Sequence, residues 1–296
     1  MRFYTEYYLV RGFLFLTKLL PNRTVYALCK AIANLFFKLD KRRRTLTLKN
    51  LHYAYPEKSN DAIFTIAQKA YESVAITLAE TLLMVNDKLD IDGMIVNKEE
   101  IETKFQHYFA DKNRGKVLIT GHFSNWELLA QFLAKSGYPI KNIARAGNNH
   151  LIDERIIQSF RGKYGNKNIP KKNAIVSLVK TLKQGLQTSI LFDQKPAPQD
   201  SVEVLFFGHP VRTVDVIARL KLKYNPLIVP VFIARHANGK YNVIIKDSID
   251  YVAEEESEPL QKIMKMTQMY NDTIEAIIRT YPEQWFWMHN RWRLGK

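Results

Sequence analysis

Val117-Leu-Ile-Thr-Gly-His-Phe-Ser-Asn-Trp-Glu-Leu-Leu-Ala-Gln-Phe-Leu-Ala-Lys135 changes periodicity halfway along. Residues 117–120 read as a strand. Beyond them Trp126, Leu129, Ala130 and Leu133 recur at i, i+3, i+4 and i+7, the apolar stripe of a helix expected over 124–135. The same alternation continues outward: a strand over 142–144, helices over 151–164 and 174–183, and a strand over 189–192. Ile175, Leu178, Val179 and Leu182 carry the second stripe, and such stripes are core positions. Further strands are expected over 202–207, 227–234 and 241–246, with helices over 214–223 and 260–280. This order predicts an α/β fold, a mainly parallel or mixed sheet flanked by helices.

Upstream the composition changes. The chain has 296 residues, 46% of them hydrophobic, enough for a sizeable core. Of its net charge of +15, residues 1–50 supply +9, with 11 Lys or Arg against Glu6 and Asp40. Such a surplus suits phosphate backbones or anionic lipid headgroups. Here the cations are threaded through apolar and aromatic runs such as Gly12-Phe-Leu-Phe-Leu16 and Ala31-Ile-Ala-Asn-Leu-Phe-Phe37, which points to lipid. A spanning helix needs about 20 mainly apolar residues, and Arg11, Lys18, Arg23, Lys30 and Lys38 interrupt every candidate window. Interfacial helices are therefore expected, with residues 1–45 as a basic amphipathic segment on an anionic membrane surface and 46–296 as one domain. Lys41-Arg-Arg-Arg44 marks the junction and suits lipid headgroups. No signal-peptide pattern stands out, since Lys18 breaks the apolar stretch after Arg11. The catalytic part is expected on the cytoplasmic side. Cys29 is the only cysteine, so intrachain disulfides and cysteine-based zinc sites are excluded.

His122 and Glu127 follow the first strand, where open parallel sheets present ligand sites beyond the carboxyl ends of their strands. A histidine of near-neutral pKa can take a proton from a hydroxyl, and a carboxylate on its other ring nitrogen fixes the tautomer. Residues five apart lie about 140° apart on one helix, so this dyad requires His122 on the loop and Glu127 in the first helical turn. The same letters, Ser124-Asn-Trp-Glu127, also form a capping box that satisfies the first amides of a helix. Spacing alone leaves both readings open. The seven histidines lack metal-ligand spacing, and no Gly-rich phosphate loop occurs, so neither metal nor cofactor is expected.

Gly121-His-Phe-Ser-Asn-Trp-Glu127 resembles the first block of the late acyltransferases of lipid A biosynthesis, within the wider lysophospholipid acyltransferase group and its His-x4-Asp/Glu motif. The resemblance continues in order through Ala144-Arg-Ala-Gly-Asn-Asn149, Phe192-Asp-Gln194, Phe206-Phe-Gly208 with Thr213, and Pro282-Glu-Gln-Trp-Phe-Trp-Met-His289 with Arg291-Trp-Arg293. It covers about residues 116–293, and the basic apolar N-terminus matches too. It implies a glycerol-phosphate acyltransferase-like fold and transfer of a fatty acyl chain from acyl carrier protein to a hydroxyl of a lipid A precursor, at the cytoplasmic face of the inner membrane. His122 would be the base and Glu127 would orient it, with no covalent acyl-enzyme. By the same carry-over Arg145 and Asn149 would hold the acceptor headgroup, and Asp193 and Gln194 would complete the polar pocket. Arg212 and Thr213, expected at the start of a helix, are weaker substrate-contact candidates. The Trp285-Phe-Trp287 cluster is expected to close the core and brace the site. His150 stands where the family often has Pro, and Val216 where it often has a small residue. Two rivals remain: the same dyad acting on another membrane lipid (a lysophospholipid, glycolipid or aminolipid), and a basic RNA-binding protein using Lys41–Arg44 and the terminal aromatics. The lipid-facing pattern favours no nucleic-acid partner.

Overall fold

In the computed structural model, which describes residues 1–144, 147–170 and 174–294, four helices come first: α1 (Arg2–Leu19), α2 (Asn22–Leu39), α3 (Lys41–Ala54) and α4 (Asn60–Val85). A short α5 (Ile91–Met94) and α6 (Lys98–Phe109) lead into β1 (Lys116–Thr120), α7 (Trp126–Lys135) and β2 (Lys141–Ala144). Then come α8 (His150–Ile152), a π-helical segment (Asp153–Gln158), α9 (Ser159–Gly162), β3 (Lys167–Pro170), α10 (Ala174–Lys183) and β4 (Gln187–Leu191). The chain ends with the hairpin β5 (Ser201–Phe206) and β6 (His209–Val214), α11 (Val216–Tyr224), β7 (Leu227–Arg235), β8 (Tyr241–Ile245) and α12 (Pro259–Thr280).

The main sheet runs β3-β2-β4-β1-β7-β8, parallel except for the β7–β8 pair. β1 is central and buried at every position, as expected of a parallel strand covered on both faces. Its side chains alternate. Val117 and Ile119 join the cluster holding Leu178 and Leu182 of α10, Ile217 and Leu220 of α11, and Ile263 and Ile274 of α12. Leu118 joins Leu128, Phe132 and Leu133 of α7 with Ile101 and Phe105 of α6. Burying both faces in this way stabilises the sheet by about 25 cal/mol per Å² of apolar area removed from water.

Three local expectations are corrected. The helix over 124–135 starts at Trp126, and its cap is Asn125, whose Oδ1 accepts from Leu128 N at 2.9 Å; Ser124 Oγ has no hydrogen-bond partner, so the expected capping box is absent. Arg212 and Thr213 lie in β6 rather than at a helix start, because Phe207 and Gly208, with φ of +54° and +76°, turn β5 back into an antiparallel hairpin. The expected helix over 151–164 is divided by the π segment.

Residue 45 lies inside α3, which continues unbroken to Ala54. α2 packs on α4, with Val25 and Cys29 buried against Ala75, Ala79 and Leu83. The opposite side of α1 and α2 leaves Tyr8, Leu9, Phe15, Leu16, Leu19 and Leu39 exposed, at 60 to 70% of their surface. Among the described residues, no helix is long and apolar enough to cross a membrane.

Candidate active site

Parallel pairing of β1 with β4 sets Thr120 opposite Leu191. Two residues further on, each strand leads to one half of a pair: His122, half-buried at the cleft, has its Nδ1 2.8 Å from Oδ1 of buried Asp193. His122 N also donates to Asp193 Oδ2 at 2.8 Å, and Trp285 Nε1 donates to the same oxygen at 2.8 Å. Both carboxylate oxygens are thereby occupied. Burial drives the carboxyl pKa up, but the facing imidazole and these donors outweigh it and hold Asp193 below the usual carboxylate value. For His122, burial lowers the pKa while the Asp193 charge and hydrogen bond raise it, with a further rise from Glu127; the net direction is up from 6.5. With Nδ1 engaged, Nε2 is the nitrogen left for a substrate.

Gly121 makes this approach possible. A Cβ at that position would lie 2.2 Å from Ile274 Cδ1 and 3.0 Å from Asp193 Cγ. The loop after His122 is held by the segment 284–286. Phe123 bridges to Trp285, Phe286 N donates to His122 O at 3.1 Å, and Ser124 N donates to Gln284 O at 2.6 Å. Ser124 is held at φ +50°, a left-handed conformation uncommon for a side chain-bearing residue. From α4, Thr77 Oγ1 donates to Ser124 O at 3.0 Å, and buried Glu80 accepts from the capping Asn125 Nδ2 at 2.6 Å.

Glu127 lies in the first turn of α7, lining the same cleft of about 510 Å³ as His122. Its carboxylate forms a bidentate pair with Arg161, through Nε at 3.1 Å and through a closer Nη2 contact. The carboxylate on the imidazole is Asp193, not the one five residues away. Burial lowers the Arg161 pKa, but Glu127 overcomes this and the net direction is up. The cleft walls are mixed: Leu118, Leu129, Leu133 and Ile140 are among the apolar lining residues, and Thr120, Ser189, Gln194 and Lys195 among the polar ones. Asn142 and Asn168 each line it and carry a buried side-chain oxygen with no hydrogen-bond partner. Apolar side chains interleaved with a histidine and several polar groups suit a ligand that has both a hydrocarbon part and a reacting polar end.

The other expected site residues lie elsewhere or are otherwise engaged. Arg145 lies outside the described residues. Asn149 is buried and fully used by protein: Nδ2 donates to Phe3 O and Glu6 Oε2, both at 2.9 Å, and Oδ1 caps α8 through Leu151 N and Ile152 N. Thr213 is buried under Arg291, whose Nη2 donates to its Oγ1 at 2.7 Å. Arg212 is exposed, and among the described residues its guanidinium reaches Pro198 O and Ser201 Oγ, both at 3.5 Å. Trp285 and Trp287 are buried, and Trp285 braces the site through Asp193. Arg291, 2% exposed, also donates to Arg212 O at 2.6 Å, and burial pulls its pKa down to about 10. His289 accepts from Lys195 N at 2.9 Å, with its pKa lowered by burial. Spacing gave no hint of Arg161, which sits on a helix 34 residues beyond Glu127. Among the described residues, no cluster of His, Cys, Asp or Glu can hold a metal ion.

Residues 1–294 match the family model described as bacterial lipid A biosynthesis acyltransferase. The chain is 26% identical to the lipid A biosynthesis lauroyltransferase of Escherichia coli (strain K12), over 95% of its own length and 89% of that protein's. With the lipid A biosynthesis myristoyltransferase of the same organism it shares 21% identity over 85% of its length and 75% of the relative's. A phosphatidylinositol mannoside acyltransferase of Mycolicibacterium smegmatis (strain ATCC 700084 / mc(2)155) is 22% identical over 62% of the chain and 58% of that protein.

Proposed function

Since this chain belongs to the bacterial lipid A biosynthesis acyltransferase family and is accordingly an acyltransferase, we propose that it moves a fatty acyl chain from acyl carrier protein to a hydroxyl of a lipid A precursor. His122 is the base in this reading. The observation that supports it is the imidazole at the cleft, anchored through Nδ1 by Asp193 and free at Nε2. Nε2 takes the proton of the acceptor hydroxyl as its oxygen attacks the thioester carbonyl. The C–S bond then breaks and the imidazolium returns the proton to the departing sulfur. Asp193 fixes the tautomer and stabilises the imidazolium. Glu127 contributes negative charge across the cleft and positions Arg161, so the motif's carboxylate acts beside the histidine rather than on it. No covalent acyl-enzyme is required.

The N-terminal helices hold the enzyme at the cytoplasmic face of the inner membrane in this proposal. The exposed aromatic and aliphatic side chains of α1 and α2 enter the headgroup region, with Arg42 and Arg43 at anionic lipid. The acceptor then arrives from the lipid and the carrier protein from water, and the basic surface speeds encounter with that acidic donor. Arg145, Gln194 and Arg212 are the acceptor-contact candidates. Asn149 and Thr213 would contribute by holding the segments beside the cleft.

Incubation of the purified protein with carrier-bound acyl chains of graded length and a tetra-acylated lipid A precursor, with His122→Ala as control, tests donor, acceptor and base together. A product heavier by one acyl group, absent with the variant, is expected. No product from any carrier-bound chain overturns the donor assignment. A second acceptor reading is supported by the resemblance to the phosphatidylinositol mannoside acyltransferase; lipid analysis of cells lacking the protein separates the two, because the missing chain is lost from lipid A in one and from a phospholipid or glycolipid in the other.

A further inference from the structure

A second cavity, of about 630 Å³, lies outside the catalytic cleft between α1, the end of α4 and the π segment with α9. Its frame is fixed by hydrogen bonds. Asn86 Nδ2 donates to Leu14 O at 3.1 Å and to Thr17 Oγ1 at 2.9 Å, and Lys88 Nζ donates to Lys18 O at 3.0 Å, so the end of α1 is tied to the end of α4. Leu14, Phe15, Met84, Ile156 and Phe160 supply apolar wall.

The polar side of this groove is cationic. Tyr7 is buried, and two guanidiniums, Arg11 and Arg155, stand 5.9 and 5.7 Å from its ring centroid. Arg11 Nη1 also donates to Tyr7 Oη at 3.3 Å. Among the described residues no carboxylate forms an ion pair with either arginine, and Asp87, the one acid in the groove wall, is paired with Lys163. Like charges gathered on one phenol without a counter-charge repel each other, and an anion between them relieves that repulsion. Arg155 belongs to the π-helical segment, a rare backbone arrangement that concentrates at functional sites.

We infer that this groove binds an anionic lipid at a site separate from the catalytic cleft, its phosphate between Arg11 and Arg155 and an acyl chain along Leu14, Phe15 and Ile156. Uncompensated guanidiniums select a phosphate-bearing headgroup, and the apolar wall selects a lipid over a free anion.

The test is titration of the full chain with short-chain phosphatidic acid below its micelle concentration, with short-chain phosphatidylcholine and with inorganic phosphate. Phosphatidic acid is expected to bind at least about tenfold more tightly than either, and Arg11→Ala/Arg155→Ala to weaken it about tenfold or more. His122→Ala is expected to leave it unchanged. Equal affinity for inorganic phosphate would make the groove a free-anion site and overturn the lipid assignment. Unchanged binding in the double variant, or binding lost in His122→Ala, would place the lipid elsewhere. Both arginines are exposed, so the variants are expected to fold. Should the double variant be unstable, Arg11→Gln and Arg155→Gln carry the same test singly.

Discussion

His122 and Asp193 meet at 2.8 Å because each stands two residues beyond a member of the same register pair, Thr120 on β1 and Leu191 on β4. The pair is thus a product of sheet topology. Asp193→Asn keeps the side-chain shape and removes the charge that raises the His122 pKa above 6.5. As base, His122 must be deprotonated, so kcat/KM falls as pH drops through that raised pKa. Without the carboxylate charge, burial is left to pull the pKa down, and the acid limb should move to lower pH. Loss of the stabilised imidazolium should also cost about 10²–10⁴-fold in rate, the usual range for acid-base assistance. A pH-rate profile checks both, and an unmoved limb would show that some other group titrates.

Glu127→Gln and Arg161→Gln should move that limb in opposite directions. The Glu127 charge raises the His122 pKa and the Arg161 charge lowers it. The first variant should therefore shift the limb to lower pH, by less than Asp193→Asn does, and the second should shift it to higher pH. Glu127→Gln should fold normally and lose nearly all activity, on the order of 10²-fold or more. If it instead shifts the limb more than Asp193→Asn, Glu127 is the direct partner of the histidine during turnover.

Much of the sheet is legible because β1 and β7 are largely apolar runs and β4 leads into Ile190-Leu-Phe192, in alternation with helices of clear 3.6-residue period. β3 and β6 are hard to read in the sequence, for different reasons. Lys167-Asn-Ile-Pro170 is an edge strand of only four residues, two of them polar, and it ends in a Pro, which an edge tolerates. β6 carries Pro210 and runs nearly into α11, but Phe207-Gly208 between alternating segments was an available hairpin signal. In the site, His122 was legible from its place after a buried strand. Asp193 reads from the sequence only as pocket lining, since nothing local reveals that β4 lies beside β1 with Thr120 opposite Leu191. Asn149 and Thr213 follow the family's blocks, yet their polar atoms hold the protein together.

Gly121→Ala should uncouple activity from stability. The added methyl would sit 2.2 Å from Ile274 Cδ1 and 3.0 Å from Asp193 Cγ. The isoleucine tip can swing aside, at an overpacking cost of about 1–3 kcal/mol, whereas Asp193 is fixed by three donors. Calorimetric unfolding should show a moderate loss, and kcat should fall further than that loss explains. Gly121→Ala/Ile274→Ala should relieve the clash with Ile274 without restoring kcat, because the contact with Asp193 remains. Full recovery of kcat would show that crowding against α12 was the whole defect.

Arg291→Met should destabilise the protein by about 1–3 kcal/mol, the usual cost of one orphaned buried polar group. The change takes the guanidinium donor from the Arg212 carbonyl, whereas the Thr213 hydroxyl loses Arg291 but keeps Asn271 Nδ2 at 3.1 Å. Arg291→Lys should recover part of this, since one ammonium cannot reproduce the planar fork that serves several acceptors. Denaturant midpoints of the two variants check the order.

Membrane attachment should depend on two separable features of the N-terminal helices. Leu9, Leu16 and Leu19 are exposed on α1, and burying such side chains in a bilayer is favourable by about 1.5–3 kcal/mol each; Leu→Ser at all three should release most of the protein from vesicles whatever their charge. Arg42→Gln with Arg43→Gln removes about 1 kcal/mol per charge near an anionic leaflet. That variant should bind phosphatidylglycerol vesicles about 30-fold more weakly, with little change on neutral vesicles. Raising the salt should narrow the difference between this variant and the wild type, because screening weakens surface electrostatics but not apolar burial. Co-sedimentation at two ionic strengths checks this. If the Leu→Ser variant stays bound on neutral vesicles, α1 does not insert, and attachment rests on a different surface.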